Sequence, residues 1–230
     1  MSISAVIFDL FGTLIANYDR DHYYGVIERM GDAAGADPIE FRSLWRKHYV
    51  ERLTGVFTDE SENILWVCEQ LRLKADTKRI ELANQVYLDF ATPFLMAPRN
   101  SAVETLTGLK DQGLRTGLLS DCGPWVPKTW SSSPFTSLID FPVYSSASGM
   151  KKPNPTLYRN AAHGLGAKLG DCMYVADGNG EELVIARQLG MRSVKIAPWN
   201  EPGSTPDADF SNHWDGEKID DLSELLEMLD

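Results

Sequence analysis

The sequence predicts an α/β fold: a parallel sheet with an all-helical subdomain inserted after its first strand. Three observations predict it. Short apolar, β-favouring runs recur at 6–8, 115–119, 141–145, 172–176 and 192–196, and helical stretches separate the later ones. Strands alternating with helices pair in parallel through right-handed crossovers. Between residues 19 and 91 no convincing strand pattern occurs and helical periodicity replaces it. Polar residues also stand just after several apolar runs, where open parallel sheets place their ligand crevice.

At 230 residues the chain suits one large domain, or a core with an inserted subdomain. Its net charge of −11 argues against nucleic acid and anionic membrane surfaces as partners. A small phosphorylated substrate remains compatible, because local amides, a lysine and a metal ion hold such ligands. Cys68, Cys122 and Cys172 are too few and too scattered for a disulfide framework or a zinc cluster, and read as buried free thiols of a reducing compartment. No basic leader with an apolar segment opens the chain, and no apolar run nears the roughly 18 residues of a membrane span. The expectation is a cytoplasmic protein; its oligomeric state leaves no mark in the sequence.

The elements follow in order. Val6, Ile7 and Phe8 form a strand buried on both faces, ended by Asp9, with Gly12 to turn the chain and expose amides. Four helices are then expected, from apolar sets at Tyr23, Ile27 and Met30; Phe41, Leu44, Trp45 and Tyr49; Ile64, Val67, Cys68 and Leu71; and Ile80, Leu82, Val86 and Phe90. Asp37-Pro38 has the form of an N-cap followed by a first-turn proline, and Thr58, Asp59 and Ser61 offer caps to the third helix. Pro93 and Pro98 mark the return to the sheet, which divides the chain into a core of 1–16 and 93–230 and a helical insertion of 17–92. A helix at 101–112 closes at Gly113, and a strand at 115–119 runs into Ser120-Asp121. After a short helix near 126–130 come a strand at 141–145, the loop of Lys151-Lys152-Pro153 and a helix at 156–164. A strand at 172–176 ends at Asp177; a helix at 181–189, a strand at 192–196, a polar loop at 198–215 and a terminal helix at 222–229 complete the chain.

In a parallel sheet Asp9, Ser120, the Lys152 loop and Asp177 converge on one rim. A carboxylate such as Asp9 can attack phosphorus or carbon and form a covalent intermediate that water breaks. The amides of Gly12 and Thr13 are expected to meet an anion, Ser120 to donate a hydrogen bond, and Lys152 to neutralise the carboxylate and a substrate oxyanion. Asp121 lies near the same crevice, as a loop-capping or anion-site residue. Asp9 and Asp177 repel unless a cation lies between them, and oxygen ligands of this kind suit Mg²⁺, with the Phe11 carbonyl as a third.

These segments resemble the motifs of the haloacid dehalogenase (HAD) superfamily of hydrolases. FDLFGTL is similar to its first motif, GLLSD to the second, SSASGMKKPNP to the third and VADGNGEEL to the fourth. The resemblance implies a Rossmann-like core, Asp9 as nucleophile, Ser120 and Lys152 as catalytic groups, and Asp177 as a metal ligand. Glu182 occupies the place of a second acidic residue, reaching the metal through water or orienting Lys152. The helical insertion resembles the family's C1-type cap, which selects the substrate. Tyr18, Tyr23, Trp45, Arg46 and His48 are candidates to face the crevice, set against a reading in which they only pack.

Two positions depart from the pattern in opposite directions. Phosphatases of the superfamily carry an acid two residues after the nucleophile; here Phe11 stands there and cannot transfer a proton. The dehalogenase branch, which tolerates an aromatic residue at that place, carries serine where this chain has Asp177. Three functions follow: Mg²⁺-dependent hydrolysis of a small phosphorylated metabolite, favoured because a metal explains Asp177; carbon–halogen hydrolysis of a 2-haloacid; and a catalytically impaired binding or regulatory protein.

Overall fold

A computed structural model describes residues 2–196 and 214–229. The chain runs β1 (Ala5–Phe8), α1 (Arg20–Ala34), α2 (Pro38–Lys47), α3 (Tyr49–Leu53), α4 (Glu60–Gln70), α5 (Thr77–Leu95), α6 (Ala102–Asp111) and β2 (Arg115–Ser120). It continues with α7 (Trp125–Thr129), β3 (Phe141–Tyr144), α8 (Ser145–Ser148), α9 (Pro155–Gly164), β4 (Cys172–Ala176), α10 (Glu182–Gln188), β5 (Arg192–Ile196), β6 (Glu217–Ile219) and α11 (Glu224–Glu227). The strands form one six-stranded parallel sheet in the order β3-β2-β1-β4-β5-β6, a Rossmann-like α/β fold.

The alternation of β1 fills both faces of this sheet. Val6 and Phe8 join Leu118, Met173 and Val175 over α6 and α11, through Leu106, Leu109 and Leu225. Ala5 and Ile7 join Leu119 and Tyr174 over α9 and α10, through Leu157, Ala161, Leu183 and Ala186. The first of these cores continues without a break into the helical block, through Leu10, Leu14, Ile15 and Trp125 to Ile27, Met30, Trp45, Ile64, Tyr87 and Phe90. Fully burying such a side chain contributes about 1.5–3 kcal/mol, so this shared core ties the block firmly to the sheet.

Aspartates start four of the block's five helices; α3 follows His48 without a side-chain cap. Asp37 accepts from the N–H groups of Ile39 (3.0 Å) and Glu40 (2.9 Å), ahead of Pro38 in the first turn. Asp59 accepts from Glu62 N at 2.9 Å, while Glu62 Oε2 accepts from Thr58 N at 2.7 Å, a reciprocal cap. Asp19 and Asp76 cap α1 and α5 in the same way.

Several elements depart from expectation. The second apolar run breaks at His48 into α2 and α3, so the block holds five helices rather than four. Helix α5 runs through Pro93 to Leu95: the proline falls in the last turn of a 19-residue helix anchored by Ile80, Tyr87, Phe90 and Leu95, which outweighs one lost hydrogen bond. Leu82 points to solvent, because the buried stripe of α5 uses Ile80, Ala83 and Tyr87 instead. Glu181 precedes α10 in the left-handed region instead of sitting in its first turn. Strand β6 and helix α8 were not expected, since three mostly polar residues and a Ser-rich tetrapeptide carry no periodicity. Most of the expected loop at 198–215 lies outside the described residues. Among those residues, no helix is long and apolar enough to cross a membrane.

Candidate active site

Sheet register assembles the site. Phe8 pairs with Leu118 on one side and Val175 on the other. Asp9, the next residue, therefore leaves the sheet between β2 and β4, one step before Ser120 and Asp177 leave theirs. Its N–H donates to Val175 O at 2.9 Å, which holds the backbone in line as the strand ends.

The turn after Asp9 is closed from within. Gly12 N donates to Ile15 O at 2.8 Å and Thr13 N to Leu10 O at 3.2 Å. This corrects the expectation that these two amides face an anion. Thr13 contributes its hydroxyl instead, which donates to Asp9 Oδ2 at 3.4 Å. Gly12 has φ +78°, and a Cβ there would fall 2.3 Å from Asp177 Oδ2 and 2.4 Å from Asn17 Nδ2. Only glycine lets the turn approach Asp177 so closely.

Lys152 is 8% exposed, and its Nζ donates to Asp9 Oδ1 at 2.5 Å and to Glu182 Oε2 at 2.6 Å. Its backbone N–H donates to Asp121 Oδ1 at 2.9 Å, so Asp121 pins the lysine's loop with its side chain. Lys151 turns away: its Nζ lies 3.6 Å from Asp121 Oδ2 and donates to Lys152 O at 2.9 Å. Glu182 has both oxygens occupied. Oε2 also accepts from Tyr174 OH at 2.7 Å, and Oε1 from Gly178 N at 3.2 Å. Asp177 Oδ2 accepts from Asn179 Nδ2 (2.7 Å) and Asn17 Nδ2 (3.1 Å), and Oδ1 from Asn179 N (3.1 Å). The Ser120 hydroxyl is buried and makes no hydrogen bond among the described residues. The Phe11 ring packs against Tyr18 (5.3 Å between centroids) and Trp125 (6.5 Å).

Electrostatics follow from this crowding. Burial pushes the Asp9 carboxyl up to about 8; Lys152 opposes the shift, and Glu182 and Asp177 reinforce it. Burial, then Glu182, raises Asp177 to about 6 against its donors Asn17 and Asn179. Burial works against the Lys152 ammonium, but Asp9, Glu182 and Asp121 prevail and hold it well above the ordinary lysine range. Ligand oxygens of Asp9, Asp177 and Glu182 all lie within 4.8 Å of one another. An all-oxygen set with more carboxylates than the single lysine can balance fits a hard divalent cation.

The remaining crevice candidates mostly pack. Trp45 Nε1 donates to Tyr23 OH at 2.9 Å; Arg46 is exposed, with its guanidinium 4.8 Å over the Tyr24 ring. His48 packs tilted against Trp66, with ring centroids 3.9 Å apart, and faces Glu51 at 3.4 Å. Sequence reasoning missed Asn17, Tyr174 and Tyr158, whose hydroxyl donates to Glu182 O at 3.2 Å. Tyr174 had one signal, a phenol inside an otherwise apolar strand that needs a buried partner.

Comparison with known proteins bears on the family and the fold. The profile of the haloacid dehalogenase-like hydrolases matches residues 3–190. The chain is 29% identical over 156 residues to haloacid dehalogenase-like hydrolase domain-containing protein 3 of Bos taurus, covering 65% of this chain and 58% of that one. It is 29% identical over 133 residues to glyceraldehyde 3-phosphate phosphatase of Pyrococcus furiosus, covering 56% and 53%. The chain thus spans little more than half the length of these relatives. A solved HAD phosphatase from Thermococcus onnurineus shares the fold with a TM-score of 0.67 at 17% identity, over 99% of this chain and 98% of that one. With 188 consecutive residues matched by the family profile, this chain belongs to the haloacid dehalogenase-like hydrolases.

Proposed function

We propose that this protein hydrolyses a small phosphate monoester with Asp9 as covalent nucleophile and Mg²⁺ as cofactor. The observation that carries the reading is Asp177, a third carboxylate beside Asp9 and Glu182 with one lysine among them. A cation accounts for that carboxylate; carbon–halogen hydrolysis does not call for one. The relationship to a glyceraldehyde 3-phosphate phosphatase points the same way.

Asp9 and Asp177 would hold the ion, with the Phe11 carbonyl as a third ligand. Bound there, Mg²⁺ supplies positive charge to the carboxylates and to a phosphoryl oxygen. Glu182 is assigned first to Lys152, since both its oxygens already have donors. The Lys152 ammonium favours the ionised form of Asp9 against burial, as a bound cation would further, and faces the charge that develops on the phosphoryl oxygens. The Asp9 oxygen not held by Lys152 attacks phosphorus. The phosphorus–oxygen bond of the ester breaks, the leaving oxygen departs with the bonding pair and takes its proton from water, and a second water then releases phosphate from the aspartyl phosphate and regenerates Asp9. Ser120 offers its unpaired hydroxyl to the phosphoryl group. Phe11 gives the leaving oxygen no proton, so esters with good leaving groups turn over faster. Residues 17–92 serve as the cap over this site, of the C1 type. The three buried free cysteines and the acidic chain suit a cytoplasmic setting without nucleic-acid partners.

The aromatic Phe11 favours a second reading, hydrolysis of a 2-haloacid, in which halide needs no proton. One pair of assays separates the two. Mg²⁺-dependent phosphate release from p-nitrophenyl phosphate, lost in Asp9→Asn, supports the first. Metal-independent chloride release from 2-chloropropionate supports the second, and neither activity together with no Mg²⁺ binding leaves a binding protein.

A further inference from the structure

One group of buried polar side chains has no part in the chemistry above. Arg52 in α3 and Glu60 and Asn63 in α4 are 6%, 4% and 1% exposed. Arg52 Nε donates to Trp45 O at 3.2 Å, and its guanidinium lies 4.5 Å over the Trp45 ring. Glu60 reaches across to the loop that follows Ser120: a Cβ on Gly123 would fall 2.5 Å from Glu60 Oε1. The Trp125 N–H and the Asn63 amide also face this carboxyl, and Arg52 acts on it with its charge. Burial nonetheless pushes Glu60 up to about 7.

Neither polar atom of the Asn63 amide makes a hydrogen bond, nor does the buried Tyr18 hydroxyl. Tyr18 lies within electrostatic reach of Glu60, and its ring packs on Phe11. A buried polar group left unpaired costs about 1–3 kcal/mol, so native structures seldom keep several together. This cluster adjoins the loop leading out of β2 at Gly123 and Trp125, and both Trp125 and Tyr18 pack on Phe11, two residues from Asp9. Phe11 stands where the superfamily's phosphatases carry the acid that serves the leaving oxygen, so on the phosphate-ester reading an ester's alcohol extends to this side.

We propose that Arg52, Glu60, Asn63 and the Tyr18 hydroxyl bind the alcohol half of the substrate, and that this half is neutral and hydroxylated. The proposal rests on the phosphate-ester reading given above. Hydroxyl groups both donate and accept, which suits the acceptors of Glu60 and Asn63 together with the donors of Asn63 and Arg52. An apolar alcohol would leave the Asn63 amide and the Tyr18 hydroxyl unpaired. A second anion would meet Glu60, which already faces the one cation of the cluster.

The test compares kcat/KM for glycerol 1-phosphate, n-propyl phosphate and 3-phosphoglycerate in the wild type, Asn63→Leu and Glu60→Gln. Ratios between substrates on one preparation do not depend on the fraction of enzyme that folds. The wild type should prefer glycerol 1-phosphate over both others by at least about tenfold; a site fully built to pair a substrate hydroxyl can reject the analogue lacking it by about 10⁴-fold. Asn63→Leu should bring the ratio to propyl phosphate within about threefold of one, mostly through KM. Glu60→Gln should narrow the gap to 3-phosphoglycerate. A wild-type ratio near one, or an unchanged ratio in Asn63→Leu, overturns the proposal. Turnover of p-nitrophenyl phosphate with none of the three esters accepted overturns it alone. No turnover of any phosphate ester overturns the phosphate-ester reading with it.

Discussion

Lys152 Nζ lies 2.5 Å from Asp9 Oδ1, although 143 positions separate the two residues along the chain. The same nitrogen lies 2.6 Å from Glu182 Oε2. One ammonium therefore separates two buried carboxylates. Lys152→Met should destabilise the protein by about 3–5 kcal/mol, since removing one partner leaves the others buried and uncompensated. The loss should be largest near pH 9 and smaller near pH 6. Asp9 titrates at about 8, raised mainly by burial, and once protonated no longer needs the lysine. Thermal melts of both proteins across that range check this, and an equal loss at both ends would refute it.

Gly12 is the second point where the site depends on one residue. Gly12→Ala places a methyl where Asp177 Oδ2 stands and strains a backbone at φ +78°. Asp177 must shift, and with it the oxygen set that would hold the ion. Disturbing a ligand's support commonly weakens metal affinity about 10–100-fold. The midpoint of Mg²⁺-induced thermal stabilisation should move to higher concentration by such a factor. An unmoved midpoint would take Asp177 out of the metal site.

The sheet and its rim were legible because apolar runs and the residues that end them are local signals. Asp9, Ser120, Lys152 and Asp177 are named by the strands they follow. The partners that hold them are not, because those depend on register. Nothing in the sequence says that Asn17 reaches Asp177, or that Tyr174 projects its hydroxyl to Glu182. The Gly12 and Thr13 amides misled for a related reason: a glycine turn exposes amides only if the turn does not close on itself, and this one does. Arg46 sits on an amphipathic helix pattern, yet rotation about the helix puts it outside, whereas His48 falls at the break and packs half-buried on Trp66, and Arg52, past that break, is buried.

Phe11→Asp tests how much the missing acid matters. A positioned acid contributes about 10²–10⁴-fold. Turnover of n-propyl phosphate should rise by about 10² in the variant, with p-nitrophenyl phosphate changed far less. The ring's contacts with Tyr18 and Trp125 are lost, so stability should fall by about 2–4 kcal/mol. A drop in stability without any gain on the alkyl ester would mean that proton transfer does not limit the rate.

Asp177 contributes its own pH response to the metal-free protein. Its carboxyl is raised from 3.8 to about 6, by burial first and Glu182 second. The folded state then holds the proton more tightly than the unfolded chain does. Stability linked to this group is complete below about pH 4 and is lost as pH rises toward 6. Asp177→Asn carries no such charge. In chelator, its stability relative to wild type should therefore climb between pH 4 and 6 and level off above, by about 1–3 kcal/mol. Added Mg²⁺ should reverse the order at neutral pH, because a cation between Asp9 and Asp177 turns the repulsion of the wild type into binding free energy while the variant keeps only one of the two charges. Parallel melting curves of the two proteins, with chelator and with Mg²⁺, would show whether the ion is what the second carboxylate is there to hold.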